Sequence, residues 1–164
     1  PVFTVPEVTV MEGAAKIYDL QNPTAKMSKS GESPAGILWL LDEPAVLAKK
    51  IKSAVTDTDN SIVFDPEHKP GVSNLLSLLA LATGKPVGDV AASLSGGGYG
   101  ALKGEVAEAV VAKVAPIREK THELLGDPAE LDRLLALGAE KAAATAEATL
   151  GRAHEALGLL PRLH

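Results

Sequence analysis

The segment VSNLLSLLALAT, residues 72–83, decides the fold. Apolar side chains occupy nearly every position around its helical turns, and only Ser73, Asn74 and Ser77 interrupt them before the final threonine. A helix that is apolar on nearly all sides has to be covered by its neighbours. The run is also shorter than the roughly 20 residues that a membrane-spanning helix needs. The sequence therefore predicts a central core helix that ends at Gly84, a residue typical of helix termini.

The segment before this helix also has helical signals. Asp42 or Glu43 can cap a helix, and Pro44 suits its first position, so we expect a helix from there to about residue 55. Three lysines lie off its apolar stripe and are expected to form a solvated face, namely Lys49, Lys50 and Lys52. The turn residues around 56–71 then separate it from the central helix.

Three more helices are predicted after the central one, over residues 86–94, 102–125 and 129–157. The connector SGGGYG, residues 95–100, is expected to be flexible, and Asp127 is expected to cap the last helix. The apolar stripe of the 102–125 helix consists of Leu102, Val106, Val110, Val114 and Ile117. On the last helix, the side chains expected to face the core are Leu131, Leu135, Ala142, Ala146, Leu150, Ala153 and Leu157.

The first 41 residues differ from the helical remainder. They are rich in Val, Thr, Pro, Gly and Ser, which favours extended segments and loops. A short strand is predicted around residues 15–20, and a second candidate strand is 62–64. The fold class is therefore mainly α, with a short strand and loop region before a helical domain that begins at residue 42.

Composition and charge exclude several kinds of site. The chain has 164 residues and no cysteine, so disulfides, thiolate metal sites and a cysteine nucleophile are excluded. A net charge of −5 argues against a globally basic nucleic-acid binder. The stretch DTDNSIVFDPEH, 57–68, lacks the Gly and Glu that a calcium loop needs at its sixth and twelfth positions, so Asp57 and Asp59 are expected to cap turns. The histidines have no metal-ligand spacing, and no metal site is predicted.

The loop AKMSKS, residues 25–30, is the strongest candidate site. Lys26 and Lys29 are three positions apart, with Ser28 and Ser30 interleaved. Backbone N–H groups and hydroxyls in such a loop can form an anion-binding nest, and two ammonium groups can neutralise a polyphosphate. From composition alone, an ordinary solvated loop remains the simpler interpretation.

The sequence Lys-Met-Ser-Lys-Ser at 26–30 matches the KMSKS signature of class I aminoacyl-tRNA synthetases. The segments that follow it, 40–59, 69–84 and 96–119, resemble those of bacterial tryptophanyl-tRNA synthetases. The tyrosine-specific relatives share the signature and are kept as an alternative. A free-standing helical module that binds tRNA or protein and keeps a relict KMSKS loop is the other alternative.

The resemblance implies a ligase that activates tryptophan with ATP and Mg²⁺ and transfers it to its tRNA. It implies that Lys26 and Lys29 are catalytic, because they would contact the ATP phosphates. The residues implied to bind ATP are Ile17, Lys26, Met27, Ser28, Lys29 and Ser30. Ile17 would act through its backbone beside the adenine. The sequence YDL at 18–20 departs from the MSL of many relatives, so no side-chain role is assigned to Tyr18 or Asp19.

The resemblance also implies an organisation for the whole chain. Residues 1–41 would be the end of a nucleotide-binding α/β domain, and 42–164 a helical domain of the tRNA anticodon-binding type. The other class I signature, a HIGH-like stretch, does not occur in the sequence. The chain is therefore expected to be the C-terminal half of the enzyme and to be inactive alone. The intact enzyme is expected to be a cytoplasmic homodimer that does not bind membranes.

Overall fold

The computed structural model describes residues 2–9, 16–31 and 33–159. Within them the chain forms five α-helices and one 3₁₀ turn, Pro34–Gly36. The helices are α1 (Pro44–Lys52), α2 (Pro70–Thr83), α3 (Val87–Ser93), α4 (Gly98–Leu125) and α5 (Pro128–Leu157). The prediction of a mainly helical fold is confirmed.

The chain divides into two compact units, Val10–Glu119 and Pro1–Thr9 with Lys120–His164. The larger unit contains α1, α2, α3, most of α4 and the hydrophobic core. Its most deeply buried side chains are Leu20, Leu47, Ile51, Val72, Leu75, Leu76, Leu102 and Val106. Burying one such side chain is worth about 1.5–3 kcal/mol, so this cluster is the main source of stability.

Helix α2 lies at the centre of this core, as its sequence predicts. It begins with Pro70 in the first turn and ends at Gly84, which adopts a left-handed conformation with φ 72°. At its start the helix backbone packs closely on the preceding segment, since a Cβ on Gly71 would lie 2.2 Å from the Val55 carbonyl oxygen. Among the described helices none alone is long and apolar enough to cross a membrane, while α2 and α3 meet that test as a pair bent by 108°.

The start of α1 differs from the prediction. Glu43 occupies the cap position but its side chain makes no capping hydrogen bond. Asp42 Oδ2 instead accepts from the Trp39 N–H at 3.3 Å and from Lys50 Nζ at 2.6 Å. Lys50 also donates to the Ile37 carbonyl at 2.8 Å, and its side chain is only 14% exposed. The expectation that Lys50 belongs to a solvated face is therefore wrong, because Asp42 draws its ammonium group inward.

Helix α4 begins at Gly98, four residues before the predicted start. Asn60 Oδ1 accepts the Tyr99 N–H at 2.8 Å and so caps the first turn from a distant loop. The prediction of a flexible connector over 95–100 is therefore wrong for residues 98–100, which belong to α4. They are ordered by the hydrogen bond from Tyr99 to Asn60, 39 positions away. At the other end of the predicted stripe, Ile117 is 46% exposed, so its expected burial is also wrong.

Strand structure in the described residues is limited to one antiparallel bridge, between Tyr18 and Lys26. Tyr18 lies in the segment where a strand was predicted, around residues 15–20. Residue 15 of that segment lies outside the described residues. Residues 62–64 form no strand, because no neighbouring segment pairs with them, although Ile62 is buried in the core. The second strand prediction is therefore wrong.

In the smaller unit, α5 is capped as predicted: Asp127 Oδ1 accepts the Glu130 N–H at 3.1 Å. None of the α5 residues is buried. Leu135, Leu150 and Leu157 are each more than half exposed, so the expectation that they face a core is wrong. A unit with one complete helix offers too few elements to enclose an interior.

Candidate phosphate-binding loop

A short hairpin carries the beginning of the KMSKS sequence. Residues 17–19 pair with residues 25–27 through the bridge between Tyr18 and Lys26. The two main-chain hydrogen bonds that flank the bridge are both 2.9 Å long. The backbone of Lys26 is therefore fixed to the body of the larger unit, whereas Lys29 lies in the turn that follows.

That turn is closed by its own backbone and hydroxyl groups. The Gly31 N–H donates to the Ser28 carbonyl at 2.9 Å, which encloses Lys29 and Ser30. The hydroxyls of Ser28 and Ser30 lie 3.1 Å apart, and the Ser30 N–H donates to Ser28 Oγ at 3.4 Å. Both serines are exposed, so the turn presents two neighbouring hydroxyls to solvent.

Lys26 and Lys29 are exposed. Across residues 2–9, 16–31 and 33–159, no carboxylate forms an ion pair with either ammonium group. Two exposed lysines without an ion-pair partner in these ranges, in one short loop with two hydroxyls, are suited to an anion with several oxygens, such as a polyphosphate.

Asp19 supports the hairpin from inside. Its carboxylate is buried, and Oδ1 accepts the N–H groups of Gln21 and Asn22 at 2.8 and 3.0 Å. The carboxylate packs directly on Gly36, where a Cβ would lie 2.0 Å from Oδ1. The Leu20 N–H donates to the Gly36 carbonyl at 3.0 Å, so the two segments are joined at the same point. Gly36 is therefore the residue that lets the segments approach each other.

Asn74 of α2 holds the free edge of the hairpin. Its Oδ1 accepts the Tyr18 N–H at 2.9 Å, and its Nδ2 donates to the Tyr18 carbonyl at 2.8 Å. Asn74 is 4% exposed and Tyr18 is half-buried, so both bonds are partly shielded from solvent. Residues 17–19 are thus paired with residues 25–27 on one edge and with a helix side chain on the other.

The structure brings the sequence-predicted site residues together in the hairpin and the turn after it. Ile17 and Met27 are half-buried and pack against the core. The Ile17 carbonyl accepts the Met27 N–H, and no acceptor for the Ile17 N–H lies among the residues described. The residues brought together are Ile17, Lys26, Met27, Ser28, Lys29 and Ser30.

Sequence reasoning missed Asp19 and Asn74 as supports of this loop. Asp19 precedes the sequence Asn22-Pro23 by three positions, and aspartate commonly organises such turns through its side chain. Asn74 is a polar residue in an otherwise apolar helix, and buried amides are nearly always hydrogen-bonded. The sequence therefore indicates that both side chains form hydrogen bonds, but it does not indicate with which residues.

A second polar cluster lies at the starts of α2 and α4. Lys69 Nζ lies 3.1 Å from Asp57 Oδ1, 2.5 Å from Asp59 Oδ1 and 3.0 Å from the Tyr99 hydroxyl. The Tyr99 hydroxyl donates to the same two carboxylates. Each carboxylate also accepts the N–H two residues further on, at 3.2 and 2.9 Å. The expected turn capping by Asp57 and Asp59 is confirmed, while their ion pairs with Lys69 were not predicted.

This cluster shifts three ionisation equilibria. The hydrogen bond from Lys69, followed by that from the Ser61 N–H, holds the pKa of Asp59 well below its usual range. Burial lowers the pKa of Lys69, but its hydrogen bonds to the two carboxylates and the phenol outweigh this and raise the pKa above its usual range. Burial, followed by the hydrogen bond to Asp57, raises the pKa of Tyr99 to about 12.

The cluster should stabilise the chain at neutral pH and lose that effect in alkali. Because folding raises the pKa of Tyr99 from about 10 to about 12, its contribution to stability is complete below about pH 10 and is lost towards pH 12. The raised pKa of Lys69 acts in the same direction. We expect the gap in urea midpoint between the natural chain and Tyr99→Phe to shrink as the pH rises from about 9 to about 12. A gap independent of pH would contradict this account.

One known protein family matches this chain over most of its length. The family described as tRNA synthetases class I (W and Y) matches residues 2–115, which include the hairpin, its following turn and α1 to α3.

Individual relatives agree with this match. The chain is 51% identical over 162 residues to tryptophan–tRNA ligase 2 of Streptomyces avermitilis. The aligned region covers 99% of this chain and 48% of that protein. It is 52% identical over 158 residues to the tryptophan–tRNA ligase of Corynebacterium glutamicum, which covers 96% of this chain and 46% of that protein. The chain thus spans about half the length of the curated relatives it matches.

Solved structures show the same relationship in three dimensions. The tryptophanyl-tRNA synthetase from Mycoplasma pneumoniae is 31% identical with a TM-score of 0.77, over 92% of this chain and 47% of that one. The tryptophanyl-tRNA synthetase from Campylobacter jejuni complexed with ADP and tryptophan is 31% identical with a TM-score of 0.61, over 96% and 48%. On the family match and these likenesses, the chain belongs to the class I tRNA synthetases for tryptophan and tyrosine.

Proposed function

We propose that this chain supplies the ATP-phosphate loop of a tryptophan–tRNA ligase. The observation that carries the proposal is the sequence KMSKS at 26–30, which begins on a fixed hairpin and ends in a turn with two neighbouring hydroxyls. Its two lysines are exposed and form no ion pair with the residues that the structure describes. Family membership supports the reaction class. The names of the relatives favour tryptophan over tyrosine as the amino acid.

In this reaction the carboxylate of tryptophan attacks the α-phosphorus of ATP. The bond from that phosphorus to the bridging oxygen breaks, and tryptophanyl-adenylate and pyrophosphate are formed. Negative charge grows on the leaving pyrophosphate, and a positioned ammonium group stabilises it most in the transition state. Lys29 is assigned this role, Lys26 the binding of the same phosphates, and Ser28 and Ser30 donate hydroxyl hydrogen bonds to phosphate oxygens.

The adenine is assigned to the edge of the hairpin. The Ile17 N–H is available to an acceptor on the base, and the half-buried Met27 offers an apolar contact. Mg²⁺ enters as part of the substrate, bound to the ATP phosphates. In the described ranges no group of three or more acidic or histidine side chains is arranged to hold a metal, so no protein ligand is assigned to it.

The remaining parts of the proposal concern the whole enzyme. Residues 1–41 belong to the nucleotide-binding domain and 42–164 to a helical domain that contacts the anticodon region of the tryptophan tRNA. The adenylate is then attacked by the terminal ribose hydroxyl of that tRNA, which releases AMP. The complete enzyme acts in the cytoplasm as a homodimer.

The chain alone should not activate tryptophan. The sequence contains no HIGH-like stretch and no recognisable tryptophan-pocket residues, so nothing would hold the tryptophan carboxylate against the α-phosphorus of ATP. We expect no exchange of labelled pyrophosphate into ATP when the purified chain is incubated with ATP, Mg²⁺ and tryptophan. Clear exchange dependent on tryptophan would contradict this prediction.

The positive test uses a joined ligase, in which this chain replaces the matching part of the Corynebacterium glutamicum enzyme. The two are 52% identical over 158 residues, so the replaced surfaces should fit. We expect the joined ligase to form tryptophanyl-adenylate and to charge tryptophan tRNA. A joined ligase that folds but makes no adenylate would contradict the proposed function. Binding of tRNA by the chain alone, combined with that failure, would favour the free-standing module.

A further inference from the structure

We propose that Asn74 is a positioning residue for adenylate formation: its side-chain amide fixes the hairpin that sets the place of Lys26 and Lys29. This inference rests on the function proposed for the loop. Asn74 lies on α2, 56 positions from the residue it holds, and it does not belong to the KMSKS sequence.

The amide acts as a substitute for a neighbouring strand. In the hairpin, Tyr18 pairs with Lys26, and its own N–H and carbonyl point to the opposite edge. Asn74 satisfies both groups at once, as acceptor at 2.9 Å and as donor at 2.8 Å. A primary amide has the donor and the acceptor that this requires, whereas a carboxylate can only accept and an alkyl group can do neither.

The helix that carries Asn74 is a rigid support. Val72, Leu75 and Leu76 on the same helix are fully buried, and Gly71 packs on the Val55 carbonyl without room for a Cβ. Side chains packed to this density do not shift without cost. The position of Asn74 therefore fixes the position of the hairpin relative to the core.

Asn74 affects the positions of Lys26 and Lys29 through the main chain of the hairpin. Residues 17–19 lie between Asn74 on one edge and residues 25–27 on the other, and the Lys29 turn follows directly. If the hydrogen bonds to Asn74 are removed, residues 17–19 lose one of their two lateral supports. A displacement of about 1 Å in a group that contacts reacting phosphates can cost about 10²-fold in rate.

The test compares Asn74→Leu and Asn74→Asp in the joined ligase. At about pH 8 both variants should lower the kcat of pyrophosphate exchange by about 10- to 100-fold, with the KM for tryptophan nearly unchanged. Ser77→Ala is the matched control. Ser77 lies on the same helix and lines the same cavity of about 430 Å³, but its hydroxyl donates to the Ser73 carbonyl of its own helix. The control should keep full activity.

The aspartate variant offers a rescue that a merely structural role would not show. A protonated Asp carboxyl can both accept from and donate to Tyr18, as the amide does. Burial raises the pKa of such a carboxyl, and the ionisable groups that line the cavity beside it are Lys16 and Tyr18. The activity of Asn74→Asp relative to the unchanged ligase should therefore recover at least about 5-fold between about pH 8 and about pH 5.5. Asn74→Leu should show no recovery.

A second measurement uses this chain itself. Asn74→Leu should speed hydrogen exchange at the Met27 N–H by about 10-fold or more, while amides in the middle of α4 stay protected. Full activity of both variants, or a loss without recovery for Asn74→Asp at low pH, would overturn the inference. If Lys29→Ala also left adenylate formation unchanged, the proposed function would fail as well. If the Asn74 variants kept full activity while Lys29→Ala lost it, the inference about Asn74 would fail and the proposed function would stand.

Discussion

In the joined ligase, Lys29→Ala should slow tryptophanyl-adenylate formation by about 10²–10³-fold and leave the dissociation constant for tryptophan nearly unchanged. Lys29 lies in the turn closed by the Ser28–Gly31 hydrogen bond and has no carboxylate partner among the described residues. Its charge is therefore free to act on the leaving pyrophosphate, where charge develops only as the bond breaks. Single-turnover formation of the adenylate measures the effect.

Lys49→Ala is the matched control for this variant. Lys49 is an exposed lysine in the last turn of α1, so its removal changes the net charge by the same amount at a different place. The control should alter the rate less than about 2-fold, because solvent screens a charge that does not contact the substrate. Equal losses in both variants would show that general charge, rather than a contact from Lys29, controls the reaction.

Gly36→Ala should lower the free energy of unfolding of this chain by about 2–3 kcal/mol. The added Cβ would lie 2.0 Å from a carboxylate oxygen of Asp19. Neither side can yield easily, because Asp19 is buried and bound to two N–H groups, while Gly36 is bound to Leu20. Urea denaturation followed by circular dichroism measures the change.

Gly104→Ala provides the matched control for this substitution. Gly104 lies inside α4, and a Cβ there would meet nothing within 4 Å. Because alanine is the better helix former, this variant should gain about 0.5–1 kcal/mol. The double variant Asp19→Ala with Gly36→Ala should lose less than the sum of the two single losses, because the clash is removed. An unchanged urea midpoint for Gly36→Ala would contradict the close packing described here.

Local patterns were enough to predict the helices. Residues 72–83 are apolar on nearly all sides, and those up to Leu79 form the buried centre of the larger unit. Pro44 and Pro128 each lie in the first turn of a helix, as the preference of proline for that position predicts. Pro70 does the same, although it was expected in the preceding turn segment. These features depend on residues within one turn of one another, which a sequence shows directly.

Features that depend on distant partners could not be predicted. Asn60 extends α4 by capping Tyr99, and Asp42 draws in Lys50, but neither pairing follows from spacing along the chain. For the loop, the KMSKS signature located the site, whereas its supports on Gly36 and on α2 became visible only in three dimensions. Because buried polar groups are nearly always hydrogen-bonded, an amide or carboxylate in an apolar segment predicts that a partner exists. Which residue is the partner depends on the fold.

The Asn74 amide contacts only main-chain atoms of Tyr18, and this has a consequence for sequence drift. Every residue except proline presents the same N–H and carbonyl, so the identity of the side chain at 18 is invisible to this contact. Replacement of this tyrosine by another residue that keeps the N–H should therefore leave the loop undisturbed. Position 74 differs, because only a side chain with both a donor and an acceptor can make the same two bonds. We therefore expect this pair of hydrogen bonds to survive most substitutions at 18 and to be lost on substitution of Asn74 by an alkyl side chain.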